Sequence, residues 1–592
     1  MKHYLSFTLA TLFALYAVTL CAQQPSPVML TVWGKELLEK QHLVPHQEHP
    51  RPLLRRERWK TLNGEWFLSV PGDNTTRNVR VPFPVESVLS GVVKPLREMN
   101  YRHLFAIPDD WNGGLRILLH FDAVDYETTV FVNGKKVGEH NGGYSPFTFD
   151  ITDVLKPKET PAGKPAWQQI DVKVVDPCDT GEQMCGNQSA QPTGTRYTGA
   201  SGIWQSVWIE AVSPSHITDI DFEVATDVSN VIIRPLVTNP KPNLFISAEL
   251  FLAGEKVAET NGGIDGTLRV VIPESQRCMW SPEEPNLYDV HVRLFDGGTV
   301  IDDLHSYFAP RTLSLKPDAG GRLRLLLNGK PYFMQAVIDQ GYWSDGIYTP
   351  PSDAAIEAEI RTIKMLGFNS VRKLAKVESQ RWYFWCDTIG LLVWQDIPSA
   401  ANRTAASRER FASELVEIVK SRRHHPSIAV WTLFNEGRGQ HQTERYDQLV
   451  RGIDSTLLID AASGWNDTAT GDFQDTHKFP GPDMPDEPDR KRASLLGSFG
   501  GITLVVKGST WTQDVWGHSH AANSEVLLQE YQRMYNALIP LIKRGMVGAA
   551  VHQLVDVETE CNGLITYDRK NLKVPPEKIK EINEAVIRAA TQ

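Results

Sequence analysis

Residues 428–440, IAVWTLFNEGRGQ, decide how the chain is read. Ile428, Val430, Trp431, Thr432 and Phe434 give the run the β-branched and aromatic weight of a buried strand. An Asn-Glu-Gly turn follows where the chain must leave a sheet, so Glu436 stands at a strand's C-terminal tip. In a barrel of parallel strands that rim is where side chains converge on a ligand, and a carboxylic acid there suits proton transfer. The plainer alternative, in which Glu436 caps the next helix, is the better reading of a lone NEG.

The flanking pattern supports the barrel. Strand-like runs occur at 333–337, 370–372, 391–394, 428–433, 457–462, weakly near Asp472, and at 495–499 and 549–554, with helical segments between most of them. One helix is expected to begin at Ser352 as N-cap, with Ile356, Ile360 and Ile363 on one face. Eight strands alternating with helices over about 280 residues is the arithmetic of a (β/α)8 barrel. Irregular stretches after Trp465 and Gly517 have the length of site loops.

Five blocks in this half carry a resemblance. WTLFNEG, NGKPYFMQAVIDQGYW (328–343), LGFNSVRK (366–373), GLLVWQDIPS (390–399) and HKFPGP (477–482) resemble, in order, the catalytic domain of glycoside hydrolase family 2. RWKTLNGEW, HFDAVDYETTVFVNGKKVGEHNGGYSPFTFDIT and SGIWQSVWIE are similar to that family's N-terminal sugar-binding-type domain. The resemblance implies an O-glycoside hydrolase acting on terminal, β-linked sugars of oligo- or polysaccharides, with Glu436 as acid/base. It also implies a substrate pocket built from Asp339, Gln340, Arg372, Asp396, Asn435, His477, Trp511 and Glu558.

Three departures stand against it. Retaining glycosidases use a second carboxylate about 5 Å from the acid. The family supplies it at strand seven in a block resembling GEFGG, whereas this chain reads GSFGG, with Ser498 at the nucleophile position. Leu374 stands where a His often contacts the sugar, and Arg438 where an aromatic is common. Asp556, Glu558 and Glu560, in VDVETECNG, are the candidates for a replacement carboxylate. The alternative is a non-catalytic carbohydrate-binding pseudoglycosidase.

The rest of the chain is expected to hold two β domains. At 592 residues it exceeds what one core supports. Short runs parted by Asn133-Gly134 and Asn141-Gly142-Gly143 place a jelly-roll sandwich at 23–212. Asp125, Tyr126, Tyr144 and Trp204 there reach the pocket or serve the sandwich alone. An immunoglobulin-like sandwich is expected at 213–312, in which no ionisable cluster stands out, and the barrel at 313–592.

Residues 1–22 read as a secretory signal: Lys2, then an apolar run from Leu5 to Leu20, with cleavage expected after Ala22. A lipidated Cys21 is the rival, disfavoured by the bulk of Leu20. The mature protein is therefore expected to be exported, periplasmic or extracellular, with no membrane attachment after signal removal. With 61 basic and 71 acidic residues the net charge is -10, which disfavours nucleic acid. Of the six cysteines, Cys178 and Cys185 share one loop in which a disulfide is sterically possible. No cofactor is implied, and no metal-ligand spacing appears.

Overall fold

The computed structural model describes residues 29–591 except 41, 112, 158–165 and 265–266, so the signal reading lies outside the described residues. Three packed units follow one another.

The first is a sandwich of antiparallel sheets with four and six strands, closed over Trp66, Tyr101, Leu119, Val130, Val172 and Ile209. The alternating strand Gln168–Val175 shows why: every second side chain is buried, as a sheet with one wet face requires. The second unit pairs a three-stranded with a four-stranded sheet around Ile233, Ile246, Leu250, Val292 and Leu304. Buried ion pairs tie the two together: Arg56 reaches Glu210 of the first and Asp302 of the second at 3.1 and 2.7 Å.

The third is the barrel. Its strands are β1 (Met334–Asp339), β2 (Ser370–Lys373), β3 (Leu392–Asp396), β4 (Ile428–Thr432), β5 (Leu458–Asp460), β6 (Phe473–Lys478), β7 (Ala493–Gly500) and β8 (Met546–His552). Neighbours pair in parallel in the order β5-β4-β3-β2-β1-β8-β7-β6. Between β5 and β6 the ring closes without a ladder: the Asp472 amide donates to the Ile459 carbonyl and its carboxylate accepts from the Ile459 amide, both at 2.7 Å. Met334, Ala336, Ile338, Leu392, Trp394 and Leu495 fill the interior, and Leu325 and Leu327 of the preceding hairpin pack with them.

The helix Asp353–Met365 starts at Ser352 and buries Ile356, Ile360 and Ile363, as the apolar period requires. Helices do not follow every strand, and the stretch after Trp465 is irregular as expected. Residues 461–472 and 479–492, on either side of β6, contain no helix and run as loops. No described helix is long and apolar enough to cross a membrane.

Candidate functional site

A cavity of about 490 Å3 opens at the C-terminal ends of the barrel strands. Gln340, Asn435, Glu436, His477, Ser498 and His552 line it, each at or just beyond the end of β1, β4, β6, β7 or β8. The rim rule that singled out Glu436 thus describes most of the pocket.

Glu436 holds a left-handed backbone, φ 54°, with its amide donating to the Ser463 carbonyl at 2.9 Å. A non-glycine residue in that region costs of order 1–3 kcal/mol and marks over-determined, functional backbone. Gly437 follows at φ 68°, and a Cβ there would lie 1.7 Å from Asn466, so only glycine fits. The turn tips the Glu436 carboxylate into the cavity, where its side chain is 42% exposed.

The carboxylate meets His477 Nδ1 at 2.9 Å. Burial pushes the Glu436 carboxyl up, but the hydrogen bond and charge of His477, and the charges of Arg372 and His552, outweigh it and hold the group below the usual glutamate value. At neutral pH Glu436 is therefore an anion. On its other ring nitrogen, Nε2, His477 contacts the Ser463 hydroxyl at 2.8 Å and Arg372 at 3.3 Å.

Arg372 is the buried centre beneath the pocket. It is fully enclosed and donates to both carboxylate oxygens of Asp396 (3.1 and 3.0 Å), to Asn435 Oδ1 (3.1 Å) and to the Gly497 carbonyl (2.8 Å). A Cβ at Gly497 would lie 2.2 Å from Asp475 and 2.6 Å from Arg372, so the glycine before Ser498 lets β7 pass the cluster. Arg372 and Asp396 thus position Asn435 and His477 rather than line the cavity.

The remaining sequence candidates fall elsewhere. Asp339 pairs with Lys373, which also holds Glu378 at 3.0 Å, beneath the rim and off the cavity. Trp511 packs edge-on against Tyr567 at 5.5 Å and does not line the pocket. Glu558 accepts the Thr198 amide at 2.9 Å, and burial lifts its carboxyl to about 7. Asp556 pairs with Lys573 at 2.6 Å, and Glu560 accepts from Tyr197 and Asn562. None of these three acids lines the cavity; Glu560 lies behind His552, 3.3 Å from its Nε2. Asp125, Tyr126, Tyr144 and Trp204 are buried in the first unit or its seam with the barrel, Tyr144 touching Tyr348 at 3.3 Å. Cys178 and Cys185 are separate thiols.

The two smaller departures acquire reasons. Leu374 gives the cavity an apolar patch. Arg438 turns away and donates to the Gly186 carbonyl, clamping the barrel rim to a loop of the first unit.

Several lining residues were not singled out from the sequence. Trp465 and Trp516 are 58% and 37% exposed, and Phe479 stacks on His518 at 3.9 Å. Together they present ring faces suited to apolar C–H surfaces. Trp465 and His518 border the two irregular stretches flagged by their length, and His552 obeys the strand-tip rule. Asn187 and Thr195 come from the first unit, Asn187 donating to Gln340 Oε1 at 3.1 Å. Nothing local in the sequence announces that reach.

Comparison with known proteins agrees with this architecture. Three family models match in succession: "Glycosyl hydrolases family 2, sugar binding domain" over 53–174, "Glycosyl hydrolases family 2" over 215–311, and "Glycosyl hydrolases family 2, TIM barrel domain" over 323–476. The last includes Glu436 and ends before β7 and Ser498. A β-galactosidase of Thermoanaerobacter pseudethanolicus is 26% identical over 357 residues, covering 58% of this chain and 45% of its own. A β-glucuronidase of Bacteroides fragilis is 25% identical over 414 residues, covering 63% and 56%. The chain thus spans about half the length of these curated relatives.

Among solved structures, an FMN-binding β-glucuronidase from Facaelibacterium prausnitzii L2-6 superposes with TM-score 0.72 at 20% identity, over 91% of this chain and 86% of the other. A Ruminococcus gnavus β-glucuronidase in complex with D-glucuronic acid gives 0.71 at 19%, over 92% and 100%. These share the fold. With three family models in order along a jelly roll, a middle sandwich and a barrel, the chain belongs to glycoside hydrolase family 2.

Proposed function

We propose that this protein is an exported carbohydrate-active member of the family that takes a terminal, β-linked sugar into the barrel cavity, with Glu436 as its only proton-transferring carboxylate. One observation carries the reading: among the described residues lining the cavity, Glu436 is the single acid, and Ser498 lines the same space. The exposed tryptophans and convergent polar groups suit a sugar's two kinds of surface. The relatives named β-galactosidase and β-glucuronidase supply the reaction class.

The lining lacks the second carboxylate that either stereochemical course requires. A serine hydroxyl is a poor substitute for a carboxylate, because it becomes an alkoxide nucleophile at neutral pH only where an adjacent base takes its proton. Hydrolysis therefore rests on Glu436 alone, and because His477 keeps it ionised, the protonated form needed to assist a leaving group is scarce at pH 7. This favours sugar retention with slow turnover, and makes a purely sugar-binding role the second reading.

Replacing Glu436 by Gln separates the two. The amide keeps the shape and cannot transfer a proton, so residual hydrolysis of glycosides with poor leaving groups falls by about 10²-fold or more. Sugar affinity measured by calorimetry stays within a few-fold. Hydrolysis unchanged from wild type removes Glu436 from the mechanism; no hydrolysis in either protein, with intact binding, establishes the binding reading. Export is part of the same proposal. N-terminal sequencing of exported material is expected to start at Gln23, and retention of Met1 refutes it.

A further inference from the structure

Outside the barrel, the middle sandwich brings together a cluster that chain spacing conceals. Strands Tyr288–Asp296 and Thr299–Phe308 form a hairpin in which His291 lies directly opposite His305, and Arg293 opposite Asp303. Val290, Val292, Leu294 and Leu304 point into the core, so the two histidines and Asp303 share the outer face. This corrects the expectation that no ionisable cluster occurs in the segment: the three are 2–14 positions apart in sequence and adjacent only once the hairpin forms.

The imidazoles stack at 4.3 Å with an 8° interplanar angle, so one ring must rotate about its side-chain bonds before both can present a nitrogen to the same ion. His291 Nε2 is hydrogen-bonded to Asp303 Oδ1, and one ligand atom from each of the three residues lies within 4.8 Å of the others. Reciprocal backbone bonds to Arg55, at 2.9 and 2.8 Å, fix the His305 strand in place.

We infer that His291, Asp303 and His305 form a binding site for one borderline divalent transition ion, of which zinc is the type, on the outer face of the middle domain. Two imidazole nitrogens and one carboxylate oxygen are the donor set that such ions prefer over magnesium or calcium, which take oxygen. The outward position leaves the fourth place to water. Metal binding must free His291 Nε2, so the ring hydrogen passes from Nε2 to Nδ1, and the hydrogen bond to Asp303 is exchanged for coordination. Glu249 Oε2, 3.7 Å from Nδ1, then accepts that hydrogen, the carboxylate–histidine–metal arrangement that orients ligands. Arg293, which now contacts Nδ1 at 2.9 Å, keeps its 2.9 Å bond to Glu249. It is therefore a competitor of the ion, through both charge and hydrogen bonding.

The test is a zinc titration of the untagged mature chain by calorimetry, with Co2+ absorption reporting geometry. Saturable binding of one ion per chain is expected. His305→Gln and Asp303→Asn each weaken it by about 10-fold or more, and Arg293→Gln tightens it. Far-ultraviolet circular dichroism confirms that each exposed-face variant remains folded. Three results overturn the site: no saturable zinc binding, affinity unchanged in the doubly substituted His291→Gln, His305→Gln chain, or binding lost on replacing His518 and His552 of the barrel cavity instead.

Discussion

Ser498→Glu raises kcat/KM on at least one aryl β-glycoside by about 10²-fold or more, from a wild-type baseline that is weak or silent. The baseline follows from the lining of the cavity, where Glu436 is the only acid among the described residues. General acid–base assistance contributes about 10²–10⁴-fold, a small part of what a complete glycosidase achieves. A glutamate at 498 adds a second carboxylate to the cavity and changes the one already present. A second negative charge facing Glu436 opposes its ionisation and raises its pKa, countering the lowering by His477, Arg372 and His552. The alkaline limb of the pH–rate profile therefore moves to higher pH in the variant. Robust wild-type turnover on the same panel would place the second role on another residue. A folded Ser498→Glu chain that binds sugar and stays silent would leave the binding reading standing.

Arg372→Met has the largest expected effect on stability, a loss of about 3–5 kcal/mol. The guanidinium is fully buried, and it is the cation to which Asp396 and Asp475 are apposed, at 3.0 and 4.0 Å. Burial already pushes Asp396 up, and holds Asp460 well above the carboxylate range with Asp475 adding to it. Without the cation these groups must stay protonated in the fold or be buried as unpaired anions. The folded pKa values of Asp396 and Asp460 then lie further above those of the unfolded chain, so the penalty grows as pH rises above about 4 and shrinks as pH falls toward it. Chemical denaturation of wild type and variant at pH 7 and pH 5 measures both the loss and its sign. A loss below about 0.5 kcal/mol, the size of an ordinary surface substitution, would mean that the cluster does not depend on Arg372.

The barrel was legible because its signals are local. A run such as 428–433 is a strand for reasons within six residues, and the turn after it must lie at a strand tip. The same locality exposed Ser498, since GSFGG is read against its own block. β6 is flanked by loops, the first of them marked in advance by the irregular stretch after Trp465. Asp339 and Trp511 turn to Lys373 and Tyr567, and neither lines the cavity.

By itself, then, the sequence determined the strands, their alternation with helices in most of the barrel, and the positions of Glu436 beyond β4 and Ser498 on β7. Tertiary structure alone decided which side chains share the cavity. Asn187 reaches it from a different domain, and Trp516 and His518 from a loop returning over β7. It also decided that Asp556, Glu558 and Glu560 are engaged with Lys573, Thr198, Tyr197 and Asn562 rather than with a ligand, and that His291, Asp303 and His305 meet. The reason is common to all of them. Strand periodicity and turn chemistry act over a few residues, whereas the facing of loops and the pairing of buried charges are fixed by contacts between segments tens to hundreds of residues apart, which no local pattern encodes.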